Sequence, residues 1–203
     1  MELPHTREIK ISDNRFDFGQ FYFSYAKYHY NDTNKWIHVV FIPTIVFTLL
    51  GMLHYGKVFG SFELLGLTWQ LDIGFFLLSI LLPLYLFVDL VTGIVSSLFF
   101  IVQLALSNYL YVNYSSSPSH FQWLLYLHLA SWIAQFVGHG IFEKRAPALL
   151  DNMLLMFVAP FFFVFEVLNM GAGYKQREVR DWNKYVAMEI KQYREGKVKK
   201  RVE

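Results

Sequence analysis

Cysteine is missing altogether from the 203 residues. Its absence excludes disulfides, thiolate metal ligands, iron–sulfur clusters and cysteine nucleophiles, so any bound metal must be held by His, Asp or Glu. Charge is scarce as well: 17% of the residues are charged, against about a quarter in a soluble domain, and most of them lie near the two ends. No Gly-rich phosphate loop, no G-x-S-x-G nucleophile elbow and no H-E-x-x-H motif occurs. The first 35 residues are polar and lack an apolar h-region, so no cleavable signal peptide is expected and the first apolar run serves as targeting segment. No internal repeat is evident.

What is there is apolar and aromatic. Hydrophobic residues make up 55% and aromatics 19% of the chain, with a mean hydropathy of +0.31. Long apolar runs fill the middle, so the chain reads as all-α, a polytopic helical membrane protein embedded in a lipid bilayer. Residues 1–13 read as a solvated tail and 14–170 as a single membrane-embedded domain. Within it, 14–30 is an aromatic stretch interrupted by Arg15, Asp17 and Lys27, which predicts an interfacial helix. Spans are expected over Trp36–Tyr55, Leu71–Leu90, Val91–Val112 and Phe121–Phe142. Asp32 or Thr33 is expected to cap the first, and Pro43 to kink it. Residues 56–70 and Asn113–His120 read as connections. Met153–Met170 is apolar around Pro160, which predicts a membrane-embedded hairpin broken at that proline, or else a fifth span. From Gly171 onward the pattern is a basic, helix-prone tail without a strong apolar face, able to touch anionic headgroups. Four spans put 17 of the 18 Lys and Arg residues on one side. Both termini and the 143–152 loop are then cytoplasmic, with Lys57 alone across the membrane. A nucleic-acid partner does not suit so buried a chain.

Chemistry concentrates in Trp132–Asn152. On a helix, His128, Trp132, Gln135, His139 and Glu143 fall within about 60° of one another. Polar groups aligned on an apolar helix need partners, either neighbouring helices or a bound metal or substrate. Depth sorts the histidines. His29 and His38 lie at the cytoplasmic start of the first span; His139 and Glu143 lie at the cytoplasmic end of the fourth. His128 is about 16 Å deeper and His54 about 24 Å from His38, while His120 belongs to the far loop and His5 to the tail. One level therefore holds His29, His38 and His139, a ligand set to which Glu143 adds a fourth ligand or a ring-orienting carboxylate. Imidazoles with an optional carboxylate suit Fe(II) or Zn(II). Asn34 and Gln135, one turn before His38 and His139, are placed to fix imidazole tautomers. His128 is a deep supporting residue or a satisfied core histidine.

The block Tyr25-xxx-His29-x-Asn31-xx-Asn34-Lys35-xx-His38-xxxx-Pro43 pairs with Trp132-xx-Gln135-xx-Gly138-His139-xxx-Glu143-xxx-Pro147-Ala148 and a later Ala159-Pro160. Together they resemble the fungal endoplasmic-reticulum 2-hydroxy fatty acid dioxygenase family over about Phe18–Leu168, most closely in QFVGHGIFEKRAPALLDN. The resemblance implies an Fe(II)-dependent α-oxidation in the endoplasmic-reticulum membrane, in which a 2-hydroxy fatty acid and O₂ give a fatty acid one carbon shorter. In fungi it implies a place in phytosphingosine breakdown. His29, His38 and His139 match the family's motif histidines; His128 lies outside the motif. The cluster sits where a fatty acid would present its carboxylate and 2-hydroxyl, with the tail in the bilayer or a Phe-rich groove. Lys35, Lys144 or Arg145 would then pair with the carboxylate, or else act only as positive-inside flanking charges. The alternative is a non-catalytic lipid-binding or scaffold protein whose histidines hold helices together. Convergence of the three imidazoles to within about 4–5 Å of a common point separates the two.

Overall fold

A computed structural model describes residues 18–147 and 155–202. They form seven α-helices, a two-stranded hairpin and one π-helical segment. Helix α1 (Phe18–Ala26) leads through a short loop to α2 (Asp32–Leu53), the axis of the molecule, against which α4, α5 and α6 all pack. Strands β1 (Ser61–Leu64) and β2 (Leu67–Gln70) follow, then α3 (Ile73–Val88) and α4 (Leu90–Tyr114). Helix α5 (Pro118–Val137) runs directly into the π-helical segment Gly138–Glu143. Helices α6 (Leu155–Ala172) and α7 (Gln176–Val202) complete the chain.

Helices α2 and α4 are long and apolar enough to cross a membrane, and α3 is a shorter apolar helix. Helices α6 and α7 are bent by 119° at their junction and would make a third crossing if taken as one broken span. The bundle turns large apolar side chains outward, Trp36, Phe87, Leu98, Val102, Trp123 and Ile133 among them. An apolar exterior on this scale suits lipid rather than water.

Several local expectations are corrected. The cap of α2 is neither Asp32 nor Thr33: Asn31 accepts from the Thr33 and Asn34 amides at 2.9 and 3.3 Å. The connection at 56–70 holds the hairpin, closed by Leu65 and Gly66 with φ of 55° and 73°. Positive φ at both central positions is the type I′ geometry, reached here with a leucine in place of the usual Asn or Asp. Helix α6 does not break at Pro160 but runs through it. The proline's missing N–H removes one bond, to the Met156 carbonyl, near the start of the helix; one residue on, the Tyr85 hydroxyl donates to the Phe157 carbonyl at 2.6 Å. The chain turns instead after Ala172, through Gly173 at φ 71°. The C-terminal segment also has the apolar stripe denied to it: Val179, Val186 and Ile190 are buried, at helical spacing with Trp182, and α7 packs on α1.

The aromatic residues make the core on one side. Phe161, Phe162 and Phe165 of α6 meet Phe18 with ring centroids 4.9–6.1 Å apart, and Trp182 of α7 lies 5.3 Å from Tyr22. Tyr22 donates to Asn183 at 2.9 Å. Between α3 and α4 the chain reverses at Asp89, which caps α4 by accepting from Thr92 N at 3.0 Å. The backbones pass so close there that a Cβ on Gly93 would lie 2.7 Å from Leu86 and Tyr85 main-chain atoms.

At the other end, the histidine ring of His54 joins three elements. Its Nδ1 is hydrogen-bonded to Asp72, and its Nε2 lies 3.0 Å from Ser107 Oγ of α4. All three residues are buried. Burial pushes the Asp72 carboxyl up, but the hydrogen bonds from His54 and the Phe75 and Gly74 amides outweigh it and hold the group below the usual range.

Candidate metal centre

Three elements deliver three imidazoles to one place. His29 comes from the α1–α2 loop, His38 from the second turn of α2, and His139 from the π-helical segment. One ligand nitrogen from each lies within 4.8 Å of the others, and the ring centroids are 4.3, 4.8 and 4.9 Å apart. All three are buried.

The tautomers of two are set by the main chain. His29 Nδ1 donates to the Tyr25 carbonyl at 2.9 Å, and His38 Nδ1 donates to the Asn34 carbonyl at 2.8 Å. Each ring thereby keeps Nε2 as a lone-pair acceptor, the form a metal requires. Tyr25 also stacks on the His29 ring at 4.1 Å and 13°, and is itself backed by Phe162 at 4.6 Å. Burial, and next the nearness of His38 and His139, hold the His29 imidazole well below its usual range. Neutral imidazoles crowded together with lone pairs free lack a donor among themselves, and His139 Nδ1 is buried without a partner. A cation supplies what such a set lacks; the donor chemistry fits a divalent transition metal.

Glu143 lies beside this set rather than in it. Its Oε1 accepts from the Asn31 amide at 2.7 Å and from Asn34 Nδ2 at 3.3 Å. The π-helical turn is the reason: it closes over five residues instead of four, so Glu143 leaves the stripe that His128, Trp132, Gln135 and His139 share. Asn34 is fully buried and its Nδ2 also faces the Tyr28 carbonyl at 3.4 Å. The side chain of Asn34 therefore ties the α1–α2 loop to the π-helical segment, while its carbonyl orients His38. Gly138 makes room for it, since a Cβ there would stand 2.3 Å from Asn34 Oδ1. Gln135 does not orient His139; its Nε2 is buried without a partner.

Two of the cations expected at a substrate carboxylate, Lys35 and Arg145, are engaged elsewhere. Lys35 lies 3.8 Å from Glu166 of α6. The Arg145 guanidinium is held between the rings of Tyr28 and Tyr193, at 4.1 and 4.2 Å, and donates to the Lys27 carbonyl at 3.1 Å. Lys144 takes φ 54° at the end of the π-helical segment, its amide on the His139 carbonyl. Sequence reading missed the Tyr28–Arg145–Tyr193 clamp and the Tyr25 support. The one signal was Tyr25 standing four residues before His29.

The histidines open onto a cavity of about 310 Å³ that also touches α2, α3, α4, α5 and α6. Its walls are chiefly aliphatic rather than Phe-rich, because the phenylalanine run of α6 is spent on the core against α1. His128 lies on this wall as part of a satisfied chain: Trp132 Nε1 donates to its Nε2 at 3.0 Å, and its Nδ1 then donates to Thr48 Oγ1 at 2.9 Å. His120 pairs with Tyr55 and His54 with Asp72, both away from the cluster. His5 lies outside the described residues.

A family profile described as 2-hydroxy-palmitic acid dioxygenase Mpo1-like matches residues 16–171. The 2-hydroxy-palmitic acid dioxygenase MPO1 of Saccharomyces cerevisiae is 41% identical over 146 residues, 71% of this chain and 75% of its own. The chain belongs to the Mpo1-like family. No solved structure matches it significantly. Every residue of the histidine cluster and its supports, from Tyr25 to Glu143, falls inside the Mpo1-like region.

Glu143→Gln tests how the Mpo1-like centre is supported. An amide in place of the carboxylate accepts less strongly from Asn31 and Asn34, so metal affinity or activity should fall about 10–100-fold, short of total loss. Metal content measured beside His139→Ala after identical purification checks this. A Gln variant as metal-free as the Ala variant would make Glu143 a ligand.

Proposed function

We propose that the chain is an Fe(II)-dependent, membrane-embedded dioxygenase that shortens 2-hydroxy fatty acids by one carbon, in the degradation of sphingolipid long-chain bases. The observation that carries the reading is the meeting of three buried imidazoles on the wall of an apolar cavity. Membership of a family whose yeast relative is named a 2-hydroxy-palmitic acid dioxygenase supports the substrate class.

His29, His38 and His139 would hold the iron, which supplies dioxygen activation when bound. The chain's own residues do the rest. Tyr25 and the Asn34 carbonyl keep two imidazole lone pairs aimed at the metal position. Gln135 offers a buried N–H donor beside His139, placed for the carboxylate or 2-hydroxyl oxygen of the substrate. The aliphatic walls exclude water and receive the chain. The balance closes without a further reductant: R–CH(OH)–COOH and O₂ give R–COOH, CO₂ and H₂O. Four electrons leave the substrate and four reduce dioxygen.

We place the protein in the endoplasmic-reticulum membrane with α2, α3, α4 and α5 crossing, α6 re-entering, and both termini cytoplasmic. The grouping of positive charge supports this arrangement. Terminal tags should be cleaved by protease in sealed microsomes; a protected C-terminal tag would mean a fifth crossing.

Purified protein given 2-hydroxypalmitate under air should yield pentadecanoate, and none under argon. Equal yields in both atmospheres, or no shortened product in air, would refute the assignment.

A further inference from the structure

We infer that the apolar cavity is a closed-ended gauge whose floor, built by Leu50 of α2 and Leu78 of α3, sets the longest acyl chain the protein accepts. The inference rests on the cavity receiving the substrate's tail, as proposed above, and goes on to name what limits it.

The depth follows from the helices. Leu50 is the last cavity residue of α2, 12 positions beyond His38, which at 1.5 Å per residue is about 18 Å. His128, the farthest cavity residue on α5, lies about 16 Å from His139 by the same rule. That depth approximates one leaflet of a hydrocarbon core about 30 Å thick, the reach of one long acyl chain. The volume of about 310 Å³ sits at the narrow end of the roughly 300–1,000 Å³ range of small-molecule pockets. A single chain fits; a two-chain lipid does not.

Below Leu50 the helices close. A Cβ on Gly74 would stand 3.1 Å from Leu50 Cδ2, and one on Gly51 would stand 3.0 Å from both δ-methyls of Leu124. Helices α3 and α5 thus press on α2 with no room between them. One turn further lies the His54–Asp72–Ser107 knot, buried and hydrogen-bonded. A methylene pushed past Leu50 would have to part packed helices and displace polar groups that have no water to turn to. Leu50 and Leu78 are themselves buried, at 1% and 6% exposure, so the floor has no give toward the outside.

The test is a panel of saturated fatty acids from decanoate to tetracosanoate, each plain and 2-hydroxylated. Binding is read by displacement of a fluorescent fatty acid, and turnover by product analysis. Native protein should show a sharp upper limit, with binding falling about tenfold or more once the chain exceeds the floor. Leu50→Ala and Leu78→Ala should move that limit to longer chains by about two carbons, the room that the lost isopropyl group leaves. Ile45→Phe, which narrows the cavity about 10 Å from His38, should move it to shorter chains, so the idea stays testable if a floor variant fails to fold. A limit that stays fixed in folded floor variants, or in Ile45→Phe, overturns the gauge. Binding and turnover separate the two claims. A limit that shifts without any turnover of 2-hydroxy acids leaves the gauge standing and removes the dioxygenase reading; turnover with an unmoved limit does the reverse.

Discussion

Alanine at His29, His38 or His139, taken one at a time, is expected to give folded protein that retains neither metal nor measurable activity. Each ring supplies one of three nitrogens lying within 4.8 Å of one another, and two imidazoles alone hold a divalent ion poorly. The fold should survive because two of the rings are anchored to main-chain carbonyls that remain after substitution, those of Tyr25 and Asn34. Metal analysis with a thermal melt checks both halves. His128→Ala is the contrast: its ring is committed to Thr48 and Trp132, so the variant should keep its metal. Metal retained in all three cluster variants, or lost equally from His128→Ala, would put the centre elsewhere.

His54→Ala should do the opposite, destabilising the protein while leaving the metal in place. The ring is fully buried and bridges Asp72, which caps α3, to Ser107 of α4. Its removal leaves a buried carboxylate short of a partner, at a cost of about 3–5 kcal/mol. Asp72 has its folded value depressed. Its contribution is therefore present above the unfolded carboxyl value and fades as pH falls through the folded one. The stability gap between native protein and variant should narrow on acidification accordingly. Denaturant unfolding of both proteins across an acidic pH series gives the answer. An unchanged midpoint at neutral pH would mean that the knot holds nothing, and loss of metal would mean that the two ends of the bundle are not independent.

Much of the site was legible from residue spacing. Helical rise placed His29, His38 and His139 at one membrane level, and the three rings do meet. The same rise separated His54 and His128, and the far loop set His120 apart; the structure finds all three in hydrogen-bonded pairs elsewhere. What spacing could not give was anything that depends on a departure from the regular helix. Glu143 falls off the shared stripe because the last turn before it is π-helical, and no local signal announces that turn. Lys35 and Arg145 looked available for a carboxylate because their partners, Glu166 and Tyr193, are distant in sequence. Pro160 suggested a break, but α6 runs through it and the chain turns only after Ala172. The apolar stripe of α7 was hidden by the charges around it, since Val179, Trp182, Val186 and Ile190 are separated by Arg, Asp, Lys and Glu.

The central claim is that these three imidazoles hold an iron that the oxygenation of a 2-hydroxy fatty acid requires. The most direct measurement strips the purified protein with a chelator, returns Fe(II) in increments, and follows pentadecanoate formed from 2-hydroxypalmitate in air. Product should vanish on stripping, return in step with iron until the chains are filled, and stay absent in stripped His139→Ala given the same iron. Product that persists through chelation, or that iron restores equally to His139→Ala, would contradict the account.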